Sequence, residues 1–326
     1  MIKARAHEEK IIGAIRKHVP MLPESWGVGI GDDTALLNLQ KLSKKQLVIT
    51  TDSLAEDVHF NWKLSTPKEV AVKLFQMNAS DILAKGGSPL FALLNLNLSK
   101  NFALNTNFVL SFIKSLGKEM KNKQVFLIGG DVTSSPACVF TMTLMGEVDK
   151  FIPRRNSSIK KGDLLVLTGG IGGSKYALEK LKSQENNLPL KIRRLYTAPQ
   201  AQWKTQECLC KSGVLANIDT SDSLYESLMI LSKENKISLK INLDKIRVPS
   251  FLREYKFEKI LSYLLGSGED FAMLSVVSQK TKEKCVKNKM QIIGEVYSIK
   301  KPEILFYYKE NKIEINEDDF NLFGHF

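Results

Sequence analysis

Apolar positions along the chain follow two different periods. Over residues 7–19 they recur at Ile11, Ile12, Ile15 and Val19, the spacing of one face of a helix. At 89–98 (PLFALLNLNL) and 124–128 (QVFLI) they run almost without interruption over the length of a strand. Leu47-Val48-Ile49, 138–148, 164–167 and 271–277 are further runs of this kind, and 47–49 reads as a short buried strand. Between them the pattern predicts helices over 67–85, 104–121, 199–211 and 221–235. The helix over 67–85 has the clearest ends. Thr66-Pro67-Lys68-Glu69 is a capping box with proline at the first helical position, and Gly86-Gly87 stops the helix. At about 100° per residue, Lys73, Gln76 and Ser80 are expected on its solvent face. Asp81 falls instead among Val70, Leu74, Met77 and Ala84, where a carboxylate needs a partner or a metal.

The polar residues that follow the strands share one chemistry. The run 47–49 leads into Thr50, Thr51, Asp52 and Ser53, with Glu56, Asp57 and His59 close behind. Residues 124–128 lead into Gly129-Gly130-Asp131-Val132-Thr133-Ser134. The stretch Ala216-Asn217-Ile218-Asp219-Thr220-Ser221-Asp222-Ser223 repeats the theme, although Asp222 also suits a place beside a helix N-cap. Gly27-Val28-Gly29-Ile30-Gly31 ends in Asp32-Asp33, and Gly266-Ser267-Gly268 ends in Glu269-Asp270. Carboxylate and hydroxyl oxygens suit hard cations such as Mg²⁺. Five such loops in a chain of net charge +12 imply that the carboxylates converge on cations, and so imply nucleotide phosphate chemistry. The turn Thr168-Gly169-Gly170-Ile171-Gly172-Gly173-Ser174, between a strand and a helix, reads as a phosphate cradle. It is not a Walker A loop, and 27–35 is not a dinucleotide fingerprint.

The 326 residues suggest two domains, with the basic stretch 151–162 (FIPRRNSSIKKG) dividing 1–150 from 151–326. Hydrophobic residues make up 43% and charged residues 25%, as in a globular protein with a real core. No apolar run approaches the ~20 residues that span a bilayer, so no membrane association is expected. The charged N-terminus carries no apolar signal region, which makes a cytoplasmic location the default. Lys and Arg are dispersed, without interleaved aromatics, so a solvated basic surface that attracts anionic nucleotides is expected rather than nucleic-acid binding. Cys138, Cys208, Cys210 and Cys285 fit no zinc spacing, and no Ser or Cys sits in a nucleophile elbow.

Taken in order, six segments resemble thiamine-monophosphate kinases, in the superfamily of aminoimidazole ribonucleotide synthetase and selenophosphate synthetase. They are Gly31-Asp32-Asp33-Thr34-Ala35, Thr50 to Phe60, Asn78-Ala79-Ser80-Asp81-Ile82, Gly129 to Thr133, Ile218 to Asp222, and Gly268-Glu269-Asp270-Phe271. The resemblance implies a two-domain α/β fold of α+β type: an N-terminal mixed-sheet domain that forms a homodimer, and a C-terminal α/β domain, with ATP in the cleft between them. It implies that Asp33, Thr50, Thr51, Asp52, Asp81, Asp131, Asp219 and Asp222 hold Mg²⁺, with Asp52, Asp131 and Asp222 closest to catalysis. Gly130, Asp131, Ser221 and Arg155 (or Arg154) would contact ATP, and His59, Glu269 and Phe320 would contact thiamine monophosphate. Asp57, Gly173, Ser223, Ser267, Thr197 and Gln200 depart from the family pattern. Two function classes stand at this point: a kinase making thiamine diphosphate, and a non-catalytic or altered-specificity ATP–Mg²⁺-binding relative.

Overall fold

The computed structural model describes residues 2–30, 34–42, 44–183, 188–204 and 213–315. The chain divides into two units, Met1–Ile82 with Gly87–Asp149, and Leu83–Gly86 with Lys150–Phe326. The boundary therefore falls just before the basic stretch 151–162, and the last two residues of the helix over 67–84, Leu83 and Ala84, belong to the second unit.

In the first unit, strands β3 (Gln46–Ala55), β4 (Ser88–Ser99), β5 (Phe126–Ser135) and β6 (Val139–Val148) form one sheet in the order β3-β6-β4-β5. Only β4 and β5 run parallel, so the sheet is mixed. A two-residue pair, β1 (Gly27–Val28) and β2 (Leu36–Leu37), stands apart from it. Helices α1 (Ile2–His18), α2 (Pro67–Ala84), α3 (Lys100–Leu104) and α4 (Thr106–Asn122) complete the unit. Helix α4 buries Val109, Phe112, Ile113, Leu116 and Met120, as its period requires. It meets α1 through Gly117, where a Cβ would lie 1.9 Å from the His18 carbonyl oxygen.

Two expectations fail here for the same reason. Strand β3 continues past Ile49 through Thr50–Ser53, and β5 continues through Gly129–Ser134, so the acidic segments lie within strands rather than beyond their ends. Nor is 47–49 buried, since Ile49 is 59% exposed on an edge strand. Pairing partners on β6 for β3 and on β4 for β5 carry the ladders through the polar residues, and side-chain polarity does not break a backbone ladder. The supposed solvent face of α2 is also internal: Lys73, Gln76 and Ser80 are 1%, 1% and 0% exposed. Lys73 Nζ donates to the His59 carbonyl at 2.7 Å and Gln76 Nε2 to Glu119 Oε2 at 2.8 Å, so polar tips on this buried helix are met by partners rather than water. The ends of α2 are as read from the sequence: Thr66 N and Oγ1 both donate to Glu69 Oε2 at 2.8 Å, and Gly86 turns the chain at φ +79°.

The second unit is built on a seven-stranded sheet. Its strands are β7 (Leu164–Thr168), β8 (Val214–Asp219), β9 (Ser238–Asn242), β10 (Met273–Val277), β11 (Gln291–Ser298), β12 (Glu303–Tyr308) and β13 (Asn311–Ile313), in the order β13-β12-β9-β11-β7-β10-β8. Helices α5 (Gly173–Lys182), α6 (Leu190–Thr197), α7 (Leu224–Asn235), α8 (Phe257–Gly266) and α9 (Lys282–Lys287) accompany it. Strands β7 and β10 are buried along their whole length, matching their continuous apolar runs. Helix α6 was not anticipated, and most of the helix expected at 199–211, with Cys208 and Cys210, lies outside the described residues. Among the described residues no helix is long and apolar enough to cross a membrane.

Candidate active site

Strand alternation sends successive side chains of β3 to opposite faces of the sheet. Thr50 Oγ1 donates to Asp81 Oδ2 at 2.5 Å, and the Asp52 amide donates to Asn78 Oδ1 at 3.1 Å, so Thr50 and Asp52 share the face that α2 covers. The partner that Asp81 requires is thus a hydroxyl of β3. Thr51 and Ser53 point the other way, where Thr143 Oγ1 donates to Thr51 Oγ1 at 3.0 Å and Ser53 Oγ lies 2.7 Å from Thr141 Oγ1.

His59 sits in a turn that is held at several points. The Ala55 amide donates to His59 Nδ1 at 3.1 Å, which leaves the ring proton on Nε2. Buried Lys73 grips the His59 carbonyl from below. Cys138 N donates to Glu56 Oε2 at 2.8 Å, and Asn61 donates to the Asp57 carboxylate. Asp57 adopts φ +64°, a conformation that explains the glycine usual at this position in the resemblance and that Asp tolerates.

Asp131 lies elsewhere on the sheet. Ser53, Thr141, Asn95 and Asp131 form one row across the four strands, on the face opposite Asp52 and Asp81. Asp52 and Asp131 occupy the two edge strands, and three strand spacings separate those strands by about 14 Å. Gly130, beside Asp131, has φ +154°.

In the second unit the strand-end loops do come together. Asp219 ends β8, and Ser221 Oγ donates to its Oδ1 at 3.4 Å. The Glu269 amide donates to the Ser221 carbonyl at 2.6 Å, while Thr220 N bonds to Ala272 O at 2.8 Å and Ala272 N to Thr220 Oγ1 at 3.1 Å. Asp219, Ser221 and Asp222 therefore share one edge with Glu269. Asp222 is exposed and does not cap α7; Ser223 Oγ does so, accepting from Glu226 N at 3.0 Å. Arg154 is engaged with both carboxylate oxygens of Glu234, at 2.9 and 2.6 Å, whereas Arg155 is exposed. Asp33 and Phe320 lie outside the described residues.

The glycine turn before α5 is not an open phosphate cradle. Gly172, Gly173 and Ser174 amides donate to the Asp270 carboxylate at 2.6, 3.1 and 2.8 Å, and the Lys175 amide donates to Ser267 Oγ at 3.1 Å. The amides that would bind phosphate are already satisfied within the protein. Burial pushes the Asp270 pKa up to about 6, against the lowering effect of those amides and of Ser267. A folded-state value above the unfolded one means that this group favours folding below about pH 4 and loses that contribution as pH rises through about 6.

Among the described residues no three His, Cys, Asp or Glu side chains gather to hold a metal. The carboxylates pair instead with hydroxyls, Asp81 with Thr50 and Asp219 with Ser221. That donor set fits Mg²⁺, which keeps waters and binds through one or two carboxylates together with phosphate oxygens. Sequence reasoning missed Lys73, Asn78 and the capping role of Asp270. Buried polar residues on α2 and an acidic residue beside Glu269 were visible, but their partners are distant in the chain.

Residues 31–148 match the family model described as AIR synthase related protein, N-terminal domain. The chain is 30% identical over 308 residues to the thiamine-monophosphate kinase of Buchnera aphidicola subsp. Schizaphis graminum, covering 90% of this chain and 92% of that protein. The chain belongs to the thiamine-monophosphate kinase family. A second member of the family, from Leptospira interrogans, is 35% identical over 238 residues, covering 72% of this chain and 75% of its own. The solved structure of AaThiL complexed with AMPPCP and TMP superposes with a TM-score of 0.72 at 26% identity, over 88% of this chain and 90% of that one. The two-domain mixed α/β architecture expected from the family is the one observed.

Proposed function

We propose that this family member is an ATP-dependent kinase that transfers the γ-phosphoryl group of ATP to the phosphate of thiamine monophosphate, giving thiamine diphosphate and ADP. The observation that carries the reading is the stitched edge of the second unit, where Asp219, Ser221 and Asp222 lie beside Glu269. Nucleotide-side and substrate-side groups are there held in one backbone frame. His59 would offer its Nε2–H to an anionic oxygen of thiamine monophosphate, and Glu269 and Phe320 would complete that side. The Gly130 amide, Ser221 and the Arg155 guanidinium would contact ATP, since Arg154 is committed to Glu234. Asp33, Thr50, Thr51, Asp52, Asp81, Asp131, Asp219 and Asp222 would hold Mg²⁺, which when bound neutralises phosphate charge. The acceptor phosphate oxygen is already ionised, so alignment is the main task of the side chains. We place the reaction in the cytoplasm, where ATP is available.

The departures from the family pattern support the catalytic reading over the binding-only one. Ser223 caps α7, Ser267 caps α5, and Asp57 holds its turn, so each keeps a local structural role. Purified protein incubated with ATP, Mg²⁺ and thiamine monophosphate is expected to form thiamine diphosphate and ADP, and chelator is expected to abolish both ATP binding and product. Metal-dependent ATP binding without product would establish the binding-only reading instead.

The first unit would form the homodimer, because among the described residues β3 and the part of β5 beyond the Met21–Leu127 bridge have no further strand partner, and the sheet face of Ser53, Thr141 and Asp131 is polar. In a dimer that joins the β3 edge of one copy to the β5 edge of the other, a second copy's Asp131 would lie beside the strand of Asp52, which one chain's sheet keeps on the opposite edge. Mixing inactive Asp52→Asn and Asp131→Asn proteins under subunit exchange should then restore about a quarter of wild-type activity, since half the dimers are mixed and each has one intact site. No recovery in dimers shown by light scattering to have exchanged would mean that both carboxylates act within one chain.

A further inference from the structure

We propose that Asp270, with Ser267, is a positioning residue that fixes Glu269 by clamping the N-terminus of α5. The inference rests on the reading of Glu269 as a contact for thiamine monophosphate. Glu269 and Phe271 both adopt left-handed backbone conformations, at φ +58° and +49°. Such angles are unfavourable for a non-glycine residue, and more so for a bulky aromatic, and they persist only where surrounding contacts over-determine them. The residue between them supplies those contacts. The Asp270 carboxylate accepts from three successive amides of the Gly172–Ser174 turn, and Ser267 Oγ accepts from the fourth, Lys175. On the other side, the Glu269 amide is tied to Ser221 and the Ala272 amide to Thr220.

The 267–272 turn is thus held between the start of α5 and the loop carrying Asp219 and Asp222. Glu269 is 2% exposed, and its direction is set by this frame and not by free rotation in solvent. Helix α5 contributes partial positive charge at its N-terminus, which an ionised Asp270 complements. Asparagine has the same shape at this position, but with its oxygen accepting from Gly173 and Ser174 its amide nitrogen would oppose the Gly172 amide donor to donor. The clamp would weaken while the volume stayed constant.

The test compares purified full-length Asp270→Asn, Ser267→Ala and Glu269→Gln, reading KM for thiamine monophosphate, KM for ATP, kcat and the hydrogen-exchange protection of the 172–175 amides. Asp270→Asn should lose protection at those amides and raise KM for thiamine monophosphate about tenfold, the scale of one lost hydrogen bond to a charged group, with KM for ATP within about twofold of wild type. Ser267→Ala, the milder change, should move the same quantities in the same direction by less. Lost protection with KM for thiamine monophosphate unchanged would overturn the positioning role. Equal rises in both KM values would also overturn it, as a merely structural effect. Glu269→Gln tests the underlying reading separately: a wild-type KM for thiamine monophosphate in that variant removes Glu269 from the substrate site, whatever Asp270 does.

Discussion

Turnover in Asp222→Asn is expected to fall about a hundredfold or more, the scale on which a preorganised electrostatic group acts, while the melting temperature without ligand holds or rises. The structure removes the competing explanation for this residue. Had Asp222 capped α7, asparagine would replace it with little change in stability or activity. Ser223 performs the capping, through the Glu226 amide at 3.0 Å, and the Asp222 side chain is exposed at the edge that carries Asp219 and Glu269. Asp219 and Asp222 lie three residues apart, and in the absence of cations removing one of two neighbouring like charges relieves the resting protein. The same charge is needed when phosphate and Mg²⁺ arrive. Thermal melts and phosphoryl-transfer rates measured on one preparation decide the matter, and wild-type turnover would take Asp222 out of the site.

Gly130→Ala is expected to destabilise the first unit by about 3 kcal/mol or more, through a steric conflict of the kind that produces large single-residue effects. A Cβ at this position would lie 2.0 Å from the Leu94 carbonyl oxygen, and the backbone has φ +154°, so both space and conformation exclude a side chain. The β4–β5 pairing slips by one residue just before it, with Ala92 opposite Leu127 but Leu93 opposite Gly129. Glycine absorbs that irregularity and places Asp131 after it. Gly130→Ala should therefore lower the urea midpoint and also displace Asp131, reducing activity beyond the loss of folded protein. Gly170→Ala supplies the comparison. Gly170 is exposed, and a Cβ there meets nothing within 4 Å, so the change is expected to stay within about 0.5 kcal/mol of wild type. Equal midpoints for the two variants would contradict the backbone geometry at Gly130.

The helices with clear periodicity and end signals, α2 and α4, were legible in the amino-acid pattern, as were the buried runs of β4, β7 and β10. Local interactions decide such features, and the capping box at Thr66–Glu69 is one of them. The acidic segments were legible as chemistry because residue type alone limits what a cation or a phosphate can bind. Their placement was not legible. Thr50–Ser53 and Gly129–Ser134 read as loops and proved to be strand, because ladder partners on β6 and β4, remote in the chain, extend the hydrogen bonding. Lys73 and Gln76 read as solvent-facing and proved to be internal, because their partners His59 and Glu119 are 14 and 43 residues away. Asp270 read as part of an acidic loop directed at cations and proved to cap a helix 96 residues earlier. In this protein, residue types and short-range spacing determine which elements form and which chemistry is available. Strand register and the identity of each buried group's partner determine which carboxylates meet. Those are long-range properties, since a hydrogen bond is indifferent to the length of chain between its ends.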